Sequence, residues 1–93
     1  MLVDKKETFI VDFFAIWCNL CKIIEPYIDK LADKFSKKLK VFRIDVDNHP
    51  DIITQFEVIS IPTVIFFKDG EPFHRIVGLC EIEELEEAAK KLL

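Results

Sequence analysis

The chain has 93 residues, of which 51% are hydrophobic, nine are Phe and only two are Gly, and its formal net charge is −4. That length holds one domain, near the lower end for a core without staples, and the composition excludes disorder. The negative charge argues against a nucleic-acid partner, which wants a basic face, and no apolar run approaches the roughly 20 residues of a membrane span.

The opening Met1-Leu2-Val3-Asp4-Lys5-Lys6-Glu7 lacks the n-region and h-region of a signal peptide, so the expected address is cytoplasmic. In that reducing compartment, three Cys with two in a C-x-x-C point to metal binding or redox catalysis, not a structural disulfide framework. Residues 1–6 read as a polar lead-in. Thr8–Ala15 reads as a central strand covered on both faces, because nearly every position is apolar or β-favouring. Asp12 is the one charge inside it. From Cys18 to about Ser36 the period turns helical. Ile23, Ile24, Tyr27, Ile28, Leu31, Ala32 and Phe35 form an apolar stripe, and Lys22, Glu25, Asp29, Lys30, Asp33 and Lys34 fill the other face. Pro26 inside this pattern predicts a kink.

Lys40–Val46 reads as a second strand. Asn48-His49-Pro50 predicts a helix start, with Asn48 as cap and Pro50 in the first turn of a short helix over Asp51–Phe56. Val58–Pro62 is extended, since a residue before proline avoids the helical region. Thr63–Lys68 is a third strand, Asp69-Gly70 a hairpin turn and Pro72–Val77 a fourth strand, broken at Gly78. Glu81–Leu93 is a last helix with Ile82, Leu85, Ala88, Ala89 and Leu92 inward. Its acids crowd the first turns and Lys90-Lys91 its end, as the helix dipole favours. The order is β-α-β-α-β-β-α, an α/β chain without repeat or linker.

The chemistry gathers where the first strand meets the first helix. Two thiols three apart on a first helical turn lie on one side, within the roughly 4.4–6.8 Å between Cα atoms that a disulfide needs. Cys18 sits where free backbone N–H groups and the helix dipole stabilise a thiolate, which makes it a nucleophile near neutral pH. Cys21, one turn in, is expected to be less exposed and to attack the mixed disulfide. A carboxylate inside an apolar strand is costly unless it is paired or its pKa rises, so Asp12 is a candidate for proton transfer.

Trp17-Cys18-x-x-Cys21-Lys22, with Val11-Asp12-Phe13 before it, Pro26 after it, Ile61-Pro62-Thr63 downstream and then Gly78, resembles the thioredoxin family over nearly the whole chain from Phe9 to Leu93. The resemblance implies a four-stranded mixed sheet flanked by three helices. It implies that Cys18 is the nucleophile, Cys21 the resolving thiol and Asp12 the buried carboxylate that handles the proton. Arg43 falls where many members have a lysine near that carboxylate. Pro62 matches the cis-proline facing the thiols, and Gly78 a glycine where partners dock. A cis turn would leave the backbone of Ile61 free to pair with an extended substrate segment. Trp17 would shield the site, and Lys22 is a solvated charge that weakly favours the thiolate.

The chain departs from the family in three ways. It starts too late to contain the additional strand and helix with which members usually begin, so an uncovered sheet edge is expected. Asn19-Leu20 replaces the usual Gly-Pro between the thiols, so the reduction potential does not carry over. Phe14 stands where Trp is common. Simpler readings stand beside these: Asp12 as an edge-exposed charge, Pro62 as a trans turn former, and the C-x-x-C as half of a zinc site. Zinc wants four ligands, and Cys80, His49 and His74 are scattered, so no metal is expected. Cys80 falls where a Ser or Thr would cap the last helix, with Glu83 at the capping-box position. A thiol caps poorly, so Cys80 reads as inert, with a regulatory or dimer-forming thiol as the alternative. Asp45 and Asp47 read as strand-end solvation.

The expected function is a dithiol–disulfide oxidoreductase that reduces protein disulfides, monomeric and without a bound cofactor. The resemblance implies an upstream flavoprotein reductase. The alternatives are a glutaredoxin-like protein reduced by glutathione, or a redox-inactive binding module of the same fold.

Overall fold

Residues 7–93 are described by a computed structural model of the chain; the polar lead-in expected over residues 1–6 lies outside them. Strand β1 (Phe9–Phe14) is buried along five of its six residues, as an unbroken apolar run demands of a strand covered on both faces. It pairs in parallel with β2 (Lys40–Asp45), from Phe9 opposite Lys40 to Phe14 opposite Asp45. On its other side it pairs antiparallel with β3 (Thr63–Lys68), which in turn pairs antiparallel with β4 (Glu71–Val77). The sheet is therefore mixed, in the order β2-β1-β3-β4. Among the described residues β2 and β4 are its edges. Asp69 and Gly70, between β3 and β4, both have positive φ, which is what a two-residue hairpin turn asks of its central pair.

Helix α1 (Asn19–Lys34) buries Cys21, Ile24, Ile28 and Leu31, a spacing of three and four residues along one face. It continues through Pro26 without a break. A single 3-10 turn follows β2 over Val46–Asn48, then α2 (Pro50–Gln55) and, after the hairpin, α3 (Ile82–Lys90). Asn48 is not the cap of α2. It ends the 3-10 turn, and His49 precedes α2 with no side-chain bond, while Pro50 does occupy the first turn. The polar cap is one element earlier, where the Asp45 carboxylate accepts the N–H of Asp47. Cys80 is likewise not the cap of α3: Glu81 holds the extended cap position, without a side-chain bond.

Each face of the sheet carries its own core. On one face α1 and α3 pack Ile24, Ile28, Leu31, Leu85 and Ala89 over Ile10, Val64 and Phe66. On the other, Phe9, Phe13, Phe67 and Phe56 form an aromatic cluster, with Phe9 stacked on Phe67 at 4.7 Å and Phe56 edge-on to Phe67 at 5.5 Å. Leu31 is fully buried between helix and sheet. Leu31→Ala is expected to lower stability by roughly 2–5 kcal/mol through lost burial and the cavity left behind. Urea unfolding should show this as a lower midpoint at an unchanged slope.

Candidate active site

The end of β1 and the start of α1 bring the thiols together. Cys18 is the N-cap residue, with extended φ −83° and ψ 114°, and its Sγ accepts the backbone N–H of Cys21 at 3.1 Å. A cap normally uses an oxygen for this. A sulfur in the same place receives the same positive pole, which favours its thiolate when reduced. The Cα atoms are 5.3 Å apart and the two sulfurs form a disulfide. Both residues are buried, Cys18 at 7% exposure and Cys21 at 2%, in the order expected for attacking and resolving thiols. Asn19 opens the helix, and Leu20 beside it is 44% exposed.

Asp12 is wholly buried, which removes the edge-charge reading. Its Oδ2 accepts Arg43 Nε–H at 3.3 Å, across the register that sets Asp12 opposite Arg43, while its Oδ1 faces no donor among the described residues. Burial dominates and pushes its pKa up to about 6; Arg43 pulls the other way and Glu25 adds a little to the rise. A carboxyl in that range is poised to exchange a proton near neutral pH. The Arg43 guanidinium also lies 4.3 Å from the centre of the Phe14 ring and donates through Nη2 to Glu25 at 3.1 Å. A cleft of about 170 Å³ runs here, lined by Phe14, Ile16, Cys21, Lys22, Glu25 and Arg43.

The Ile61–Pro62 bond is cis, against the trans alternative. Ile61 packs against the cluster that contains both cysteines, and the Thr63 hydroxyl donates to the Ser60 carbonyl, closing the turn. Gly78 N–H donates to the Pro62 carbonyl at 2.8 Å. Gly78 has φ +87° with open space where a Cβ would stand, so its backbone conformation is what asks for glycine there. The sequence-distant Pro62 and Gly78 are thus joined through their backbones.

Trp17 stands immediately before Cys18 in the chain. It is 67% exposed, and its indole N–H donates to Asp47 Oδ2 at 2.8 Å. Asp47, read from sequence as strand-end solvation, is the residue that sequence reasoning missed. It is thirty positions away, and no local pattern marks it. Ile16 and Ile59 stand exposed nearby, and Trp17, Asp47, Ile59 and Ile61 line a shallow cleft of about 220 Å³. Cys80 lies apart, half-buried against the core of α1 and α3. Burial, with Glu84 and Glu81, pushes its thiol up to about 11, so it is protonated at neutral pH.

The family model described as Thioredoxin matches residues 1–91. A thioredoxin of Staphylococcus saprophyticus is 45% identical over 84 residues, covering 90% of this chain and 81% of that protein. The chloroplastic M-type thioredoxin of Spinacia oleracea is 40% identical over 92 residues, covering 99% of this chain and 51% of its own length. In structure, oxidised mitochondrial thioredoxin 3 of Saccharomyces cerevisiae superposes with a TM-score of 0.87 at 33% identity, covering 98% of this chain and 84% of that one. With its thiol pair at the mouth of α1 and these relatives along nearly its whole length, this chain belongs to the thioredoxin family and is a thiol–disulfide oxidoreductase, a reductase of protein disulfides.

Proposed function

We propose that Cys18, Cys21 and Asp12 carry the reaction in named roles. The Cys18 thiolate attacks one sulfur of a protein disulfide, and the other substrate sulfur leaves as a thiolate and takes a proton. Cys21 passes its proton to Asp12 and attacks Cys18 Sγ, which breaks the mixed disulfide and releases the second substrate sulfur as a thiolate that takes a proton from solvent in turn. The substrate gains two electrons and two protons, and the chain ends as the Cys18–Cys21 disulfide. The observation that carries this reading is the capping geometry: Cys18 Sγ receives a backbone N–H at the helix mouth while the second sulfur sits within bonding reach.

Substrate docks, in this reading, on Trp17, Ile61, Pro62 and Gly78. Trp17, with Ile16 and Ile59, offers exposed apolar surface of the kind that marks a binding face, while Pro62 is buried and shapes it from below; among the described residues the backbone groups of Ile61 make no hydrogen bond. An extended segment can pair there by strand addition. Arg43 supports Asp12, and Lys22 stands as a solvated charge on the cleft wall. The dithiol is regenerated by a disulfide reductase, which we take to be a flavoprotein. We also take residues 1–93 as one domain that works as a monomer in the cytoplasm. No described helix is long and apolar enough to cross a membrane.

The direction of electron flow is tested by equilibrating the Cys18–Cys21 couple against a glutathione buffer. A reductant is expected near the roughly −270 mV typical of thioredoxin; a value near roughly −120 mV would mark an oxidant and reverse the assignment.

A further inference from the structure

Arg43 is held on three sides. Nε donates to Asp12 Oδ2 at 3.3 Å, Nη2 donates to Glu25 Oε2 at 3.1 Å, and the guanidinium carbon sits 4.3 Å from the Phe14 ring centre. A planar group engaged through two nitrogens and one face has little rotational freedom left. Glu25 has no obvious place beside Asp12 on charge alone, because its like charge opposes the ionisation of that carboxyl. Nor does its ion pair promise much stability: its side chain is 47% exposed and that of Arg43 31%, and exposed pairs are worth little.

We propose that Glu25 is a positioning residue that keeps the Arg43 guanidinium against Asp12 and so sets the pH at which Asp12 exchanges its proton with Cys21. This rests on the role given to Asp12 above. The charged and titratable groups around this cleft are Cys21, Lys22 and Glu25 from α1 and Arg43 from β2, while β3 places Val64 opposite Asp12. The Lys22 ammonium makes no hydrogen bond among the described residues, so the hold on the Asp12 oxygen falls to Arg43.

The test follows the Asp12 carboxyl carbon by NMR against pH in the reduced protein and in Glu25→Gln, Glu25→Ala, Arg43→Ala and the Glu25→Ala/Arg43→Ala double variant. Like-charge repulsion alone would lower the Asp12 midpoint in both Glu25 variants. Positioning separates them. Gln keeps an acceptor for Nη2 and leaves the midpoint unchanged or lower. Ala frees the guanidinium and raises it by about one pH unit, the low end for a charge partner at this range. The pH profile of mixed-disulfide resolution by Cys21 should move with it, and Glu25→Ala should add no rise to that of Arg43→Ala alone. A midpoint that stays or falls in Glu25→Ala, or a double variant whose midpoint still lies above that of Arg43→Ala, overturns the proposal. Asp12→Asn judges the base role separately: resolution unchanged in that variant would remove the base role, while the carboxyl titration still reads the hold of Glu25 on Arg43.

Discussion

Cys18→Ser should reduce turnover of an insulin disulfide, with dithiothreitol as electron source, by on the order of a hundredfold or more, to the background of the reagent. The serine hydroxyl still caps α1 and still accepts the Cys21 N–H, so the fold is retained. What is lost is the only atom at the helix mouth that is a strong nucleophile near neutral pH. Cys21→Ser should behave differently. Attack by Cys18 remains possible, but no second sulfur stands 5.3 Å away in Cα terms to release the product. A stable mixed disulfide should accumulate, visible by mass as one chain joined to substrate and reversed by reductant. Equal turnover in Cys18→Ser and wild type would leave only a binding module.

The second large effect is expected from Asp12→Asn, on stability and rate together. The Asp12 carboxyl titrates at about 6 in the folded chain, against 3.8 for an ordinary Asp, because it is wholly buried. A pKa raised by folding means that the folded state binds the proton more tightly. Stability is therefore fully present below about pH 4 and is lost as the pH rises through about 6. At about 1.4 kcal/mol per pKa unit, the gap amounts to about 3 kcal/mol at neutral pH. Asn carries no charge to bury, so the variant should unfold at higher denaturant than wild type at pH 7.5 and at nearly the same denaturant at pH 4. The difference should open between those values. Arg43 keeps Glu25 as a partner in the variant, which limits the loss on that side. The rate should move the other way. An unassisted thiol is already a few per cent thiolate at pH 7, so losing the base should slow resolution by on the order of tenfold, less than general bases commonly supply. Variants that agree in stability and resolution rate across pH 4 to 8 would remove Asp12 from the mechanism.

Much of this site is local in the chain and for that reason legible before folding is considered. The helix stripe from Ile24 to Leu31, the apolar run of β1, the Asp69-Gly70 turn and the C-x-x-C at the junction each depend on neighbours within a few positions. Even the burial of Asp12 follows from its place in an apolar run. The misplacements have a common character. Asn48 and Cys80 are cap positions chosen by residue type, whereas the chain's path put the cap one element earlier at Asp45 and one residue later at Glu81. Expected partners across the sheet fared unevenly too. Family resemblance puts Arg43 near Asp12, but its hold by Glu25 and its seat on Phe14 carry no local mark. The same holds for Arg75, whose guanidinium donates to the carbonyls of Phe56 and Glu57 and so closes the end of α2 from β4.

By itself the sequence determined the elements, their order, and which two sulfurs meet, because helical period and a three-residue spacing are properties of a few adjacent residues. Tertiary structure decided how each carboxylate is held. Asp12 meets Arg43 through strand register, Arg43 reaches Glu25 through the packing of α1 on the sheet, and Trp17 finds Asp47 across thirty positions. Register and packing angle are set by the whole core at once, and no short window of residues contains them.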